Sequence, residues 1–264
     1  MTEPYIIRIS SQKGGVGKSI VAINFSTALK ALGYKVLLVD SDFSNPSIGV
    51  YLGLEDVNIG YKEVFLGRAD PVRAIVPHRT TGLSILPGTI SSKQFVPNRA
   101  EVARIIPKMR KLNYDFVVID TQPGYLVPEL LGLYDEAMII TTPEMSSLLA
   151  GIKLAHVYND KKLKHGLVVN RVRNKKYELS ISEIEEVYEN RVSGVLPEDE
   201  AVPLSVAQHV PTYTMNKRSQ FSRAIASMAR LYTGRAQVEE VEEALPHSGG
   251  GGILAFLKRI FHLD

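Results

Sequence analysis

Short, nearly unbroken apolar runs alternate with longer amphipathic stretches along most of this chain. The runs are too short for helices. They lack the polar–apolar alternation of a strand with one wet face, so they read as strands buried on both sides. Strands are predicted at residues 5–9, 35–40, 83–87, 116–120, 136–141, 166–170 and 192–196. Helices are predicted at 18–32, 99–112, 146–159, 180–190, 204–208 and 219–233. Strands interleaved with helices give an α/β fold, a mostly parallel central sheet with helices on both faces. Residues 1–237 suit one such domain. Ligands of these folds gather at the carboxyl ends of the strands, and six of the predicted ends carry polar residues or turns.

The first strand runs into SQKGGVGKS at residues 11–19, where a helix is predicted to begin. A strand that breaks into a Gly-rich turn and then a helix is built to cradle phosphates. Backbone N–H groups at Gly14, Gly15 and Gly17 can point inward, and the helix start adds partial positive charge. Lys18 can reach the β- and γ-phosphates, and the Ser19 hydroxyl can ligate Mg²⁺. Gln12 stands where the general phosphate-loop pattern has its first glycine. A second lysine, Lys13, is added, so that Lys13, Gly17, Lys18 and Ser19 form K-G-G-x-G-K-[ST].

Two other strand ends carry acids. Asp40 and Asp42, two apart, can hold the hydration shell of Mg²⁺ or orient an attacking water. The run Phe116-Val-Val-Ile-Asp120 ends in a carboxylate that suits a water-mediated Mg²⁺ contact, and Gly124 follows in a turn able to change conformation. Farther on, Asn170 and Arg171 end one strand, and Pro197, Glu198 and Asp199 end the next. An Asn amide offers both a donor and an acceptor to an adenine edge.

The variant lysine motif makes the chain resemble the MinD/ParA class of P-loop ATPases with a deviant Walker A sequence. The resemblance runs over almost the whole chain. It implies ATP and Mg²⁺ as cofactors, with Gln12, Lys13, Gly14, Gly15, Val16, Gly17, Lys18, Ser19 and Ile20 around the phosphates. It implies an ATP-dependent homodimer in which Lys13 reaches the partner's nucleotide. Asp42 would position the catalytic water in switch I. Asp40, Ser19 and, through water, Asp120 would serve the metal, and Gly124 would lie in switch II. Asn170, Arg171 and the turn Pro197, Glu198, Asp199 would contact adenine. Gln122 departs from the small residue or proline usual there, and Ile20 from a small hydroxyl residue. Both bear on the rate of hydrolysis rather than on the site.

Composition excludes several alternatives. The 264 residues, 45% hydrophobic and 22% charged, can bury a sizeable core. No cysteine is present, which removes disulfides, thiol catalysis and the iron–sulfur carrier and nitrogenase-reductase branches of the same fold. A net charge of +3 exerts little general pull on nucleic acid, so DNA is not an expected partner. Residues 1–4 lead straight into a strand, so no leader is expected, and no apolar run is long enough to cross a bilayer. The basic stretch 160–177, with Lys161, Lys162, Lys164, Arg171, Arg173, Lys175 and Lys176, reads as a solvated face.

The end of the chain has a different texture. Residues 238–252 are acidic and then Gly-rich, the composition of a flexible tether. Residues 253–264 follow a helical wheel with Ile253, Leu254, Phe256, Leu257, Ile260, Phe261 and Leu263 on one half and Lys258 and Arg259 opposite. Such a segment suits the interface of an anionic membrane. It resembles the membrane-targeting helix of MinD proteins from Phe256 to Phe261. The expectation is a peripheral membrane ATPase, cytoplasmic and reversibly bound to the inner face of the cell membrane. It would position division or polar machinery with a protein cargo or activator that the sequence does not name. The rivals are a ParA-type DNA-segregation ATPase and a scaffold that binds ATP but scarcely hydrolyses it.

Overall fold

The computed structural model describes residues 3–54, 57–89, 99–124 and 126–233. The segments predicted as a tether (238–252) and as an amphipathic helix (253–264) lie outside the described residues. In chain order the elements are β1 (Tyr5–Ser10), α1 (Lys18–Ala31), β2 (Val36–Ser41), α2 (Ile48–Tyr51), α3 (Tyr61–Phe65), α4 (Pro71–Ala74), β3 (Val76–Pro77), β4 (Ser84–Leu86) and α5 (Arg99–Arg110). After these come β5 (Phe116–Thr121), a 3-10 helix (Pro128–Leu133), β6 (Glu136–Thr141), α6 (Met145–Asp160), β7 (Lys164–Val172), α7 (Ile181–Tyr188), β8 (Gly194–Pro197), α8 (Ala201–Ala207), α9 (Thr212–Met215) and α10 (Gln220–Thr233).

The strands form one sheet in the order β3-β4-β2-β5-β1-β6-β7-β8. All neighbours are parallel except the β3–β4 edge pair. Successive residues of each strand feed opposite faces, the period of two that a pleated strand imposes. Ile7 and Ile9, Val36 and Leu38, and Phe116 and Val118 pack under α1 and α10, against Phe25, Leu29, Phe221 and Ile225. Ile6, Leu37, Val39, Val117 and Ile119 face the other way, toward Phe65, Ile105, Leu148 and Ile184 of α3, α5, α6 and α7. Both faces are covered, so the apolar runs are continuous. Arg8 interrupts the apolar run of β1. It is buried, and its guanidinium donates to the hydroxyls of Tyr158 at 2.9 Å and Tyr134 at 3.1 Å.

The predicted strands and six predicted helices are all present, with ends moved by a few residues. Strand β7 extends at both ends, to Lys164, which pairs with β6, and to Val172, which pairs with β8, because ladder pairing needs backbone rather than apolar side chains at the rim. Helices α2, α3, α4 and α9, the 3-10 helix and β3 were not predicted. Each is shorter than two helical turns or a full strand alternation, too short for a period to register. They are held locally by caps and contacts; Asp70, for example, accepts the Val72 N–H at 2.8 Å and opens α4. The basic stretch 160–177 does not make one face. Strand β7 separates Lys161, Lys162 and Lys164 at one end of the sheet from Arg173, Lys175 and Lys176 at the other.

Candidate functional site

The carboxyl ends of β1, β2 and β5 meet at one edge of the sheet, as their mutual register requires. The loop between β1 and α1 turns back over them. Gly15 and Gly17 have φ of +76° and +88°, the left-handed region that glycine enters without strain. Gly17 has a second constraint: a Cβ there would sit 2.4 Å from Asn170 Nδ2. That amide donates to the Val16 carbonyl at 2.7 Å, so Asn170 is wedged beneath the loop. The Val21 N–H then bonds the Gly17 carbonyl at 3.0 Å and opens α1 directly behind the loop.

Lys18 is buried and donates to Asp120 Oδ1 at 2.5 Å. The other oxygen, Asp120 Oδ2, is buried with no hydrogen-bond partner. Asp40 lies beside Asp120 as its register partner across β2 and β5. Asp40 Oδ2 accepts the N–H groups of Ser47 at 2.9 Å and Ile48 at 3.0 Å, capping α2. The Ser47 hydroxyl donates to Ser19 Oγ at 2.9 Å. Ser47, a residue that sequence reasoning did not select, therefore joins Ser19 to Asp40, which lies beside Asp120. Burial pushes the Asp40 carboxyl up to about 7, and the neighbouring Asp120 charge adds to it against the hydrogen bonds to Ile48 and Asp42. Burial also raises Asp120, with Lys18 opposing.

Asp42 faces differently from Asp40. It lines a cleft of about 380 Å³ together with the loop from Lys13 to Ile20, Ser44, Ser47 and Gln122. Its Oδ1 accepts the N–H groups of Ser44 at 3.1 Å and Asn45 at 2.9 Å, which fixes the turn after β2. The Ser44 hydroxyl donates to Gln122 Oε1 at 3.3 Å, tying the turn after β2 to the turn after β5. Gly124, with φ +66°, donates its N–H to the Ser11 carbonyl at 2.9 Å. The turn after β5 is thus bonded to the start of the phosphate loop. Lys13 lies on the exposed side and donates to Ser146 Oγ at 2.6 Å.

The residues expected around adenine do not line this cleft. Asn170 supports the loop from behind, as above. Arg171, in the left-handed region at φ 61°, lines a separate hollow of about 190 Å³ beyond Lys13, Gly14 and Gly15, with Arg173, Glu144 and Glu178. Glu198 lies 3.7 Å from Arg171 and 3.9 Å from Arg173. Asp199 accepts the N–H groups of Ala201 at 2.9 Å and Phe221 at 3.1 Å, which joins the start of α8 to α10. Those bonds, together with others from Ser219 and Gln220, hold its carboxyl below the usual range, although its partial burial alone would raise it. Ser44, Ser47 and Tyr51 line the main cleft without having been predicted. Their only sequence signal is that they follow the acid pair.

Residues 7–212 match the family model for the CobQ/CobB/MinD/ParA nucleotide binding domain. The chain belongs to that family. An uncharacterized ATP-binding protein of Methanocaldococcus jannaschii is 30% identical over 235 residues, covering 87% of this chain and 88% of that protein. The septum site-determining protein MinD of Pyrococcus horikoshii, solved with Mg-ADP, superposes with a TM-score of 0.81 at 29% identity, covering 90% of this chain and 98% of that one. The MinC:MinD cell division complex of Aquifex aeolicus gives 0.78 at 25% identity, covering 93% and 98%. The MinD/ParA fold thus accounts for the parallel sheet with the phosphate loop at its centre. Among the described residues no helix is long and apolar enough to cross a membrane, and no three His, Cys, Asp or Glu side chains cluster as a metal site would need.

Proposed function

We propose that this member of the MinD/ParA ATPase family is a MinD-like ATPase that couples ATP binding to dimerisation and reversible membrane attachment. The observation that carries the enzymatic part is the buried Lys18–Asp120 pair, with its orphaned Asp120 Oδ2, beneath a glycine-turned loop. An unpartnered carboxylate oxygen at that depth fits a site finished by a hydrated cation. Ser19 and Asp120, with Asp40 behind them, would hold Mg²⁺, which supplies charge neutralisation on the β- and γ-phosphates.

The chain's own groups do the remainder. Loop N–H groups and Lys18 bind the phosphates, and Asp42 orients water toward the γ-phosphorus. The bond from that phosphorus to the bridging oxygen breaks, leaving ADP and inorganic phosphate. Ser44 and Gln122 link the two turns that would respond to the γ-phosphate. Lys13, exposed and, among the described residues, hydrogen-bonded to Ser146, would extend to a partner's nucleotide. The base extends toward Asn170, Arg171 and the Pro197–Asp199 turn, an assignment supported by resemblance and by Asn170 lying against Val16. The solved structure with Mg-ADP supports the cofactor reading, and the one with MinC supports a protein partner.

The apolar and basic halves of residues 253–264 support membrane attachment. One such segment binds marginally, and two on a dimer gain from effective concentration. The reading places the protein in the cytoplasm, cycling on and off the inner membrane face. Sedimentation with anionic vesicles tests it, comparing ATP with ADP in the full chain and in Leu257→Glu/Phe261→Glu. ATP-dependent pelleting that the double variant loses supports the reading. Equal pelleting of both chains, or none with ATP, overturns the membrane step. Salt-sensitive DNA binding in ATP would then favour the DNA-segregating relatives.

A further inference from the structure

Gln122 follows β5 directly, two residues past Asp120, where the resemblance leads one to expect a small residue or proline. It is half-buried and lines the nucleotide cleft with the loop from Lys13 to Ile20, Asp42, Ser44 and Ser47. Its amide is only partly used. Oε1 accepts the Ser44 hydroxyl at 3.3 Å, and among the described residues Nε2 has no hydrogen-bond partner. An amide nitrogen carries two N–H donors, and both remain available to the cleft.

Ser44 is itself fixed, because its N–H bonds Asp42 Oδ1 at 3.1 Å. The cleft wall thus offers an acceptor at Asp42 and a donor at Gln122, joined through Ser44. A terminal phosphate needs the donor. Its oxygens are anionic and only accept, so a carboxylate facing them repels. A neutral amide supplies N–H without adding negative charge, and a bond to an ionised acceptor belongs to the stronger class. Asn45 is the other side-chain amide lining this cleft. It is exposed, and among the described residues no hydrogen bond holds its side chain. Gln122 is the amide held in place.

We propose that Gln122 reads the terminal phosphate: its Nε2 donates to a γ-phosphate oxygen while Ser44 holds its Oε1. Gln122 then makes the site prefer ATP to ADP, because ADP lacks the group it contacts. The proposal rests on the nucleotide reading above and is independent of the membrane step. The rival role is a latch between the turns after β2 and β5, for which only Oε1 matters.

Gln122→Glu separates the two roles. Glutamate keeps an oxygen for the Ser44 hydroxyl and loses both N–H donors. Equilibrium binding of a non-hydrolysable ATP analogue and of ADP, each with Mg²⁺, is measured in the full chain and its variants. Gln122→Glu should weaken the analogue about tenfold or more, the size of one hydrogen bond to a charged group, and leave ADP within about twofold. Gln122→Met loses the donors without gaining a charge, and should show the same selective loss at a smaller size. Ser44→Ala should cost the analogue no more than about threefold, the size of a neutral hydrogen bond. Asn45→Asp puts the same charge on the same cleft, and should weaken the analogue several-fold less than Gln122→Glu. Unchanged analogue affinity in both Gln122 variants would overturn the proposal. Equal losses in Ser44→Ala and Gln122→Met would mean a latch, and a match between Asn45→Asp and Gln122→Glu would mean general repulsion; either overturns it. A parent chain that binds neither nucleotide overturns the nucleotide reading and the proposal with it. A parent that binds both, matched by its Gln122 variants, overturns the proposal alone.

Discussion

The two ends of the central strands both bury carboxylates, and they treat them in opposite ways. At the amino ends, each oxygen of Glu136 accepts a tyrosine hydroxyl, from Tyr5 and Tyr232, both at 2.8 Å. Asp135 takes the Ile6 N–H at 2.7 Å and two nitrogens of Arg110 at 2.9 and 3.0 Å. At the carboxyl ends, Asp120 keeps one oxygen without a partner, and Asp40 lies against it with its carboxyl pushed up to about 7. A satisfied buried acid stabilises the fold. A crowded, half-satisfied one raises its energy, and is tolerated where a ligand completes it. Fully partnered acids lie at one end of the sheet and the crowded pair at the other.

The sharpest way to break this division is to remove Lys18. Lys18→Ala should lower ATP turnover about 10²–10³-fold, the usual loss for one donor to a developing charge. Turnover within tenfold of the parent would remove Lys18 from the reaction. At the opposite end, Tyr232→Phe should leave turnover per folded molecule unchanged and cost about 1.5–3 kcal/mol of stability, the range for a hydrogen bond to a charged group. Urea unfolding measures that loss; an unchanged midpoint would show that Glu136 finds another donor.

Gly124→Ala probes the bond between the turn after β5 and the phosphate loop. The positive φ alone should cost about 1–2 kcal/mol. If calorimetry finds no loss, the turn relaxes without its glycine.

The Asp40 shift carries a pH signature. Its folded value lies above the ordinary 3.8, so between these two values the folded chain keeps a proton that the unfolded chain releases. Stability therefore falls as pH rises through that window and levels off above about 7. Taking the protein without nucleotide or Mg²⁺ from pH 8 to pH 6 should add about 1 kcal/mol. Asp40→Asn should abolish that gain, and a gain that survives it belongs to another group. The smallest effect is expected at Ser146→Ala, which frees Lys13 from an exposed hydrogen bond. Unfolding should shift by less than about 0.5 kcal/mol, and a larger loss would make Lys13 part of the resting fold.

The legibility of the chain divides along a physical line. The phosphate loop was readable because its glycines, lysines and serine act through local backbone geometry within a few residues. The strands were readable because burial on both faces leaves continuous apolar runs. The four- and five-residue helices were not, since too little periodicity fits in them. Ser47 was missed because its role depends on Asp40, Ser19 and a turn that only packing assembles.

The sequence by itself determined the fold class, the phosphate loop and the strand ends that carry acids. These follow from local conformational preference and from the period of burial. Only the tertiary structure decided that Asp40 caps α2 while Asp42 lines the cleft, that Asn170 holds the Val16 carbonyl, and that Asp199 joins α8 to α10. It also split one basic stretch between two ends of the sheet. Those outcomes depend on strand order and register, which set neighbours far apart in the chain and leave no mark in it.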